Sequence, residues 1–107
     1  MLTRTAIYEG KIKPGKTNEF FNRVRDELEP IWVRFPNATA VRVQRVNAAD
    51  DGAPSIVMIL EMDFADMAAI EACLADPIRS EAHAKTEAVM KLFDGRFYHF
   101  VTAARTL

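Results

Sequence analysis

The chain has a single cysteine, Cys73, and only two histidines among its 107 residues. One cysteine cannot form an internal disulfide or a thiolate metal cluster, and two histidines cannot complete a histidine-rich metal site. The sequence also lacks a nucleophile elbow, a glycine-rich phosphate loop and an HExxH zinc pattern. We therefore predict no resident cofactor or metal, and we expect Cys73 to be a small buried residue on a helix.

Charge of one sign and long apolar segments are also missing. The formal net charge is −1, and basic and acidic residues are interspersed, so no basic stripe is available for nucleic acid. The uncharged run at the centre of the chain, residues 54–60, is far shorter than the roughly 20 residues that cross a bilayer. The first residues show no charged-then-apolar signal segment. We expect a cytoplasmic protein without a nucleic-acid or membrane partner.

What the chain does have is one strongly apolar segment at residues 55–64, SIVMILEMDF. Read as a β-strand, it places five apolar side chains on one face: Ile56, Met58, Leu60, Met62 and Phe64. Val57 and Ile59 begin a second apolar face. A chain of 107 residues has enough helix to cover only one side of a sheet, so we predict a homodimer in which a second copy covers the other side.

The spacing of apolar residues predicts the remaining elements of one domain, residues 1–107. Alternation predicts strands at residues 4–13, 39–48 and 97–103, and turn formers at 50–54 predict a hairpin into the central strand. Helical spacing predicts a long helix at 16–33, a short helix beginning near Asp66, and a third helix that begins at Asp76-Pro77 and is closed by Asp94-Gly95. This order is that of an α+β, ferredoxin-like split βαβ fold, with a four-stranded antiparallel sheet and helices on one face.

Three stretches resemble the dimeric α+β barrel superfamily, which includes antibiotic-biosynthesis monooxygenases, haem-degrading monooxygenases, muconolactone isomerases and stress-responsive barrel proteins. They are the opening strand that ends in IKPGK, the long first helix, and ADPIRSEAHAK after the short helix. The resemblance implies a cleft between the sheet and the helices that holds an aromatic or polyketide-like substrate, or haem. It also implies a dimer through the opposite sheet face.

The haem-degrading members offer a residue-by-residue comparison. Counting back from Gly15 places Tyr8 where they carry a cleft asparagine, and an ungapped match of AIEACLADPIRSEAH places His83 on their haem-ligating histidine. The same match places Cys73 where they carry tryptophan. Since one position of three agrees, haem binding through His83 is only a third hypothesis.

His83 is the first candidate for catalysis because it edges the apolar stripe of its helix, close to Met90, as residues at a cleft rim do. Its imidazole can accept a proton from a substrate phenol or α-carbon at neutral pH. The alternative is a surface histidine that pairs with Glu87 one turn later. Tyr8 is the second candidate, because its small neighbours Ala6 and Gly10 leave space for a ligand.

Four further residues are candidates for substrate binding: Tyr98, His99, Trp32 and Met90. Tyr98 and His99 point to opposite faces of the last strand, so at most one shares the Tyr8 cleft, and the sequence leaves open which. Trp32 and Phe35 either line the cleft mouth or belong to the core.

Polar residues inside the strands have two interpretations. They either anchor a substrate or form ion pairs across the dimer, and we favour the second. The residues are Glu9, Arg42, Arg45 and Glu61.

We predict a protein that binds a planar, apolar, oxygen-bearing small molecule and acts as a cofactor-independent monooxygenase or proton-transfer enzyme. His83 would transfer the proton and Tyr8 would orient the substrate. The alternative is a non-catalytic ligand-binding or stress-associated barrel protein whose cleft is filled by Trp32, Phe35 and Met90. An open cavity beside Tyr8 and His83 distinguishes the two hypotheses.

Overall fold

The computed structural model describes all of residues 1–107 and contains one four-stranded sheet and three helices. In chain order the elements are β1 (Leu2–Ile12), α1 (residues 17–32), β2 (Ala40–Arg45), β3 (Ile56–Phe64), α2 (Met67–Leu74), α3 (Ile78–Met90) and β4 (Phe93–Thr102). The strands lie in the order β2-β3-β1-β4, and every neighbouring pair is antiparallel. The predicted ferredoxin-like α+β fold is confirmed.

The sheet has one face covered by the helices and one open face, as the pattern of β3 predicts. Met58, Leu60, Met62 and Phe64 are buried, whereas Val57 and Ile59 are only half-buried. Residues directly opposite each other in an antiparallel pair share a face. Ala6 lies opposite Leu60 and Tyr8 opposite Met58, so the even-numbered residues of β1 belong to the helix-covered face. The odd-numbered residues of β1 belong to the open face.

Helix α1 is interrupted, whereas the sequence pattern predicts a continuous helix. It runs as α-helix over Thr17–Arg23, as a π-helical turn over Val24–Leu28, and as α-helix again over Glu29–Trp32. Pro30 explains the interruption, because proline has no N–H to donate and its ring clashes with the carbonyl one turn earlier. The widened turn just before Pro30 accommodates that ring and lets the helix continue to Trp32.

Aspartate side chains start both of the shorter helices. The carboxylate of Asp66 accepts a hydrogen bond of 2.9 Å from the Ala69 N–H at the start of α2. The carboxylate of Asp76 accepts one of 2.9 Å from the Ile78 N–H at the start of α3. These caps satisfy N–H groups that have no partner within the helix, and they agree with the predicted helix starts. No helix is long and apolar enough to cross a membrane.

The prediction that Asp94-Gly95 closes the third helix is wrong, because both residues lie inside β4. Helix α3 ends at Met90, and the strand begins three residues later. Gly10 and Gly95 face each other across β1 and β4, and a Cβ on either would collide with the backbone of the opposite strand. Gly10 also has a φ of 147°, which favours glycine. The absence of a side chain at Gly10 therefore allows β1 and β4 to pair closely.

Strand β2 is shorter than predicted, because it ends at Arg45. Residues 46–55 form the connection to β3, with one turn closed by a hydrogen bond of 3.1 Å from the Ala53 N–H to the Asp50 carbonyl. The predicted hairpin from β2 to β3 is present, with a longer loop.

Candidate functional site

A cavity of about 120 Å³ lies between the helix-covered face of the sheet and helices α1 and α3. Tyr8, Phe97 and His99 form its sheet wall, and Trp32 lines it from the end of α1. A second depression of about 350 Å³ adjoins it and shares His83, Thr86 and Phe97 with it. The two spaces therefore lie side by side, with these three residues between or beside them.

The sheet wall of the cavity is a row of aromatic rings. The Tyr8 ring stacks on the Phe97 ring, with the centroids 5.3 Å apart and the planes at 27°. Phe97 in turn packs edge-on against His99, at 5.8 Å and 90°. Strand pairing causes this arrangement, because Phe97 lies directly opposite Tyr8 and His99 follows two residues later on the same face. The result is an aromatic wall made by the stacked Tyr8 and Phe97 rings, with the polar atoms of the His99 ring at one end.

Tyr8 is a hydrogen-bond donor at neutral pH. The residue is buried and lines the cavity, and its hydroxyl, which has no hydrogen-bond partner within the chain, is accessible from the cavity. Burial raises the pKa of Tyr8 to about 12, although the nearby Arg4 opposes the shift. The phenol therefore stays protonated and can donate to a ligand oxygen.

His99 lies on the same face as Tyr8, since it pairs with the buried Ala6. The residue is exposed at the edge of the sheet, but its ring lines the cavity. Burial on that side lowers the pKa of His99 to about 4, and the positive charges of Arg4 and Arg79 contribute to the shift. The imidazole is therefore neutral at pH 7 and can accept a hydrogen bond or a proton.

Tyr98 lies on the open face, because it pairs with Ile7. Its hydroxyl donates a hydrogen bond of 2.9 Å to the Glu9 carboxylate, and it does not line the cavity. The sequence left open which of Tyr98 and His99 shares the cleft with Tyr8. The structure shows that His99 does and Tyr98 does not.

His83 lies at the rim of the cleft, on α3. It borders the cavity and the adjoining depression, and its side chain is 65% exposed. Its Nε2 atom lies 3.0 Å from a carboxylate oxygen of Glu87, one turn later. Both features considered from the sequence, the rim position and the Glu87 pair, are therefore present together.

Trp32 and Phe35 line the cavity and are also core residues, with 3% and 9% of their surfaces exposed. Met90 does not reach the cavity, and lines the adjoining depression instead. These side chains therefore leave the cleft open beside Tyr8 and His83.

Two arginines that sequence reasoning did not select also line the cavity. Arg4 lies on β1 opposite Met62 and Val101, on the helix-covered face, and is half-buried. Arg79 lies in the first turn of α3. A signal for Arg4 was present in the sequence, because it shares its alternation with Ala6 and Tyr8. Nothing in the local pattern identifies Arg79, since it is one of several charged residues on an exposed helix.

Comparison with known proteins gives the fold. No family model and no curated protein matches the sequence. Among solved structures, an ethyl tert-butyl ether degradation (EthD) family protein from Bacillus halodurans matches with a TM-score of 0.75 and 17% identity, over 98% of this chain and 99% of that chain. SnoaB, a cofactor-independent oxygenase from Streptomyces nogalater, matches with a TM-score of 0.61 and 16% identity, over 99% and 94%.

A dimeric protein of unknown function and ferredoxin-like fold from Bacteroides fragilis matches with a TM-score of 0.66 and 9% identity, over 94% of this chain and 93% of that chain. The chain therefore shares the ferredoxin-like α+β fold of these structures. The predicted resemblance to that superfamily is confirmed at the level of the fold.

The residues of the cleft do not reproduce the haem-site pattern that the resemblance implies. Cys73, which the resemblance places at a tryptophan position, is fully buried and does not line the cavity. No group of three or more His, Cys, Asp or Glu side chains is placed to hold a metal ion.

On the open face of the sheet, charged side chains pair within the chain. Arg42 donates two hydrogen bonds of 2.8 Å to the buried carboxylate of Asp63 and one of 3.1 Å to Glu61. Thr3 donates a further bond of 2.8 Å to Asp63. The hydrogen bonds from Arg42 and then Thr3 lower the pKa of Asp63 to about 2. Arg42 and Glu61 therefore find partners without a second protomer.

The other two polar strand residues are also occupied away from the cavity. Glu9 lies 3.5 Å from the Arg96 guanidinium and accepts the Tyr98 hydrogen bond. The Arg45 guanidinium lies over the Phe21 ring, 4.2 Å from its centroid. Neither Glu9 nor Arg45 lines the cavity.

Proposed function

We propose that the chain binds a planar, largely apolar small molecule with an acidic oxygen in the cleft and abstracts a proton from it. With an electron-rich ligand, the product of that step would react with O₂ without a cofactor. The observation that carries the proposal is the convergence of two imidazoles and one protonated phenol, His83, His99 and Tyr8, on one aromatic cavity. The fold of SnoaB, a cofactor-independent oxygenase, supports the same chemistry.

The dimensions of the cleft favour a ligand of a few fused rings. The cavity of about 120 Å³ accommodates one ring against the Tyr8 and Phe97 wall, and the adjoining depression of about 350 Å³ takes the remainder beside Met90. Together they reach the size range of small-molecule sites.

Each polar group of the cleft has a separate role in the proposed reaction. His83 accepts the proton from a ligand phenol, enol or acidic C–H, and the Glu87 carboxylate beside it stabilises the resulting imidazolium. Tyr8 donates a hydrogen bond to the ligand oxygen on which negative charge develops. His99, held neutral, accepts a hydrogen bond from a second ligand hydroxyl.

The reaction with O₂ balances without an added reductant. After loss of the proton, the electron-rich carbanion or phenolate reduces O₂. A ring methylene is thereby oxidised to a carbonyl that keeps one oxygen atom, and the other oxygen atom leaves as water. The ligand supplies all of the electrons, so the protein contributes only binding, proton transfer and charge stabilisation.

We also propose that the protein is a homodimer that packs through the open face. Ile7, Val57 and Ile59 form the centre of that face and remain half-buried, and Phe100 at its edge is 53% exposed. Removing this apolar surface from water favours association. The dimeric protein from Bacteroides fragilis with the same fold supports this arrangement.

One observation favours a non-catalytic ligand-binding protein as the second candidate. The His83 side chain is mostly exposed and pairs with Glu87 as surface helix residues commonly do. A protein of this class would bind the same ligands without turnover.

The test is oxygen consumption with anthrone, whose ring methylene lies between two aromatic rings. We expect the wild type to accelerate oxidation, and we expect His83→Ala to lower the rate by roughly 10²-fold or more, the usual contribution of a general base. Tyr8→Phe should lower it less. The exposed Arg25, which pairs only with Asp26, provides the matched control Arg25→Met.

Binding of anthrone with no acceleration would favour the non-catalytic candidate. Acceleration that is equal in the wild type and in His83→Ala would remove His83 from the mechanism.

A further inference from the structure

Two positive charges meet at the cavity. Arg4 reaches it from β1 and Arg79 from the first turn of α3, and both line it together with Tyr8 and His99. No Asp or Glu lines the same cavity. The space is thus apolar along its aromatic wall and cationic at one side.

Most other arginines in the chain have a partner. Five form ion pairs with carboxylates: Arg23, Arg25, Arg34, Arg42 and Arg96. Arg45 lies over an aromatic ring instead. Arg4 and Arg79 have neither kind of partner, although both lie in the structured part of the domain.

The nearby carboxylates are already engaged. Asp76 caps the Ile78 N–H, and Glu81 lies 3.0 Å from the Arg34 guanidinium. Glu87 is 3.0 Å from His83. Arg4 and Arg79 therefore have no internal carboxylate with which to pair in this conformation.

Such an arrangement is unfavourable in the absence of an anion. Burial, followed by the positive charge of Arg79, lowers the pKa of Arg4, so the charged guanidinium is less stable there than in water. A half-buried cation without a partner costs free energy that a bound anion would recover. This unpaired cation lies in the same cavity as the aromatic wall of Tyr8 and Phe97, so one ligand could contact both.

We propose that Arg4 and Arg79 form a carboxylate subsite in this cavity, so that the ligand is a planar organic acid. This inference rests on the proposed function in so far as the cavity must be the ligand site. A guanidinium forms paired, charge-assisted hydrogen bonds with a carboxylate, and the Tyr8 hydroxyl supplies a further donor. The stacked rings of Tyr8 and Phe97 select a planar aromatic body over a small inorganic anion.

The subsite also orients the ligand. Arg79 and His83 are four residues apart on α3, which places them on the same side of the helix. A carboxylate held at Arg79 therefore directs the ring system along the cleft past His83. Burial is the main cause of the lowered pKa of His99, and the charges of Arg4 and Arg79 contribute; their neutralisation by that carboxylate would remove this second contribution.

The test compares 2-naphthoate with 2-naphthamide, a neutral molecule of nearly the same shape, by titration followed with NMR. We expect the wild type to bind the acid roughly 10- to 100-fold more tightly than the amide, the range of a charge-assisted hydrogen bond. Arg4→Met and Arg79→Met should abolish most of this preference, because they weaken binding of the charged acid much more than binding of the neutral amide. Arg25→Met, the matched exposed control, should keep it.

A second readout is the pKa of His99 itself. We expect it to be higher with 2-naphthoate bound than with 2-naphthamide bound, because both ligands bury His99 alike and only the acid neutralises the arginines. Arg79 is exposed, so Arg79→Met keeps the test valid even if Arg4→Met does not fold.

The possible failures are distinguishable. Equal binding of acid and amide at the Tyr8 wall would overturn the carboxylate subsite and leave the proposed ligand cavity intact. A preference for the acid that persists in both arginine variants would also overturn it. The absence of any binding by either probe at Tyr8, Phe97 and His99 would overturn the subsite and the proposed cavity together.

Discussion

The two faces of the sheet differ in whether their charged side chains have partners within the chain. On the open face, Arg42 is bound to Asp63 and Glu61, and Arg96 lies beside Glu9. On the helix-covered face, Arg4 has no internal partner, and neither does the hydroxyl of Tyr8. Polar groups that are satisfied within the chain contribute to folding, whereas partly buried groups without a partner are available to a ligand.

The largest effect should come from Gly10, which shares a face with Tyr8 but contacts a neighbouring strand instead of the cavity. In Gly10→Ala the new Cβ would collide with the backbone at Asp94 and Gly95, at a φ that disfavours alanine. We expect a loss of at least about 3 kcal/mol in the free energy of unfolding, measured with urea. Gly15→Ala is the matched control, because Gly15 also has a positive φ but has open space around it.

Arginine substitutions test the comparison directly. Arg42→Met should lower the melting temperature by several degrees, because it leaves the buried Asp63 carboxylate without its main partner. Arg4→Met and Arg79→Met should leave the melting temperature unchanged or raise it, since they remove an unpaired charge. Thermal unfolding of the three variants at pH 7 is the measurement. A loss at Arg4 as large as that at Arg42 would remove the difference between the faces.

The two faces should also lose stability in different pH windows. His99 has a folded pKa of about 4, below its unfolded value of about 6.5, so its contribution is full above pH 6.5 and is lost as pH falls towards 4. Asp63 has a folded pKa of about 2, below its unfolded value of about 3.9, so its contribution is lost between about pH 4 and 2.

Melting temperatures recorded from pH 8 to pH 2 check both windows. We expect His99→Gln to flatten the profile between pH 6.5 and 4 only, and Asp63→Asn to flatten it below pH 4 only. An unchanged profile in His99→Gln would show that its imidazole is not held neutral by the cavity.

The smallest effect on stability should come from Tyr8→Phe. Its hydroxyl has no partner within the chain, so its removal leaves nothing unsatisfied and should change the free energy of unfolding by less than about 0.5 kcal/mol. Binding of an oxygen-bearing ligand should weaken in the same variant. A stability loss well above this value would mean that the hydroxyl belongs to the folded network.

Local patterns predict much of this fold. The alternation of β3 predicts its buried and half-buried faces, and Asp66 and Asp76 predict the starts of two helices. The interruption at Pro30 and the strand residues Asp94-Gly95 were missed. Pro30 is a local signal that the apolar spacing of the helix outweighed in the prediction, whereas at Asp94-Gly95 a close strand pair overrides the local preference for a helix end.

The site was less predictable than the fold. Tyr8 and His83 follow from residue type and position, and the sequence could show that only one of Tyr98 and His99 shares the cleft. Which of them does so depends on the register between β1 and β4, which pairs His99 with Ala6. The meeting of Arg4 and Arg79 depends on packing between residues far apart in the chain, and no sequence pattern reports the absence of a partner.

The most direct test of this account is to map the binding of 2-naphthoate by NMR chemical-shift changes of aromatic side chains. We expect changes at Tyr8, Phe97 and His99 on the helix-covered face and none at Tyr98 and Phe100 on the open face. Changes confined to Tyr98 and Phe100 would contradict the assignment of the ligand site to the helix-covered face.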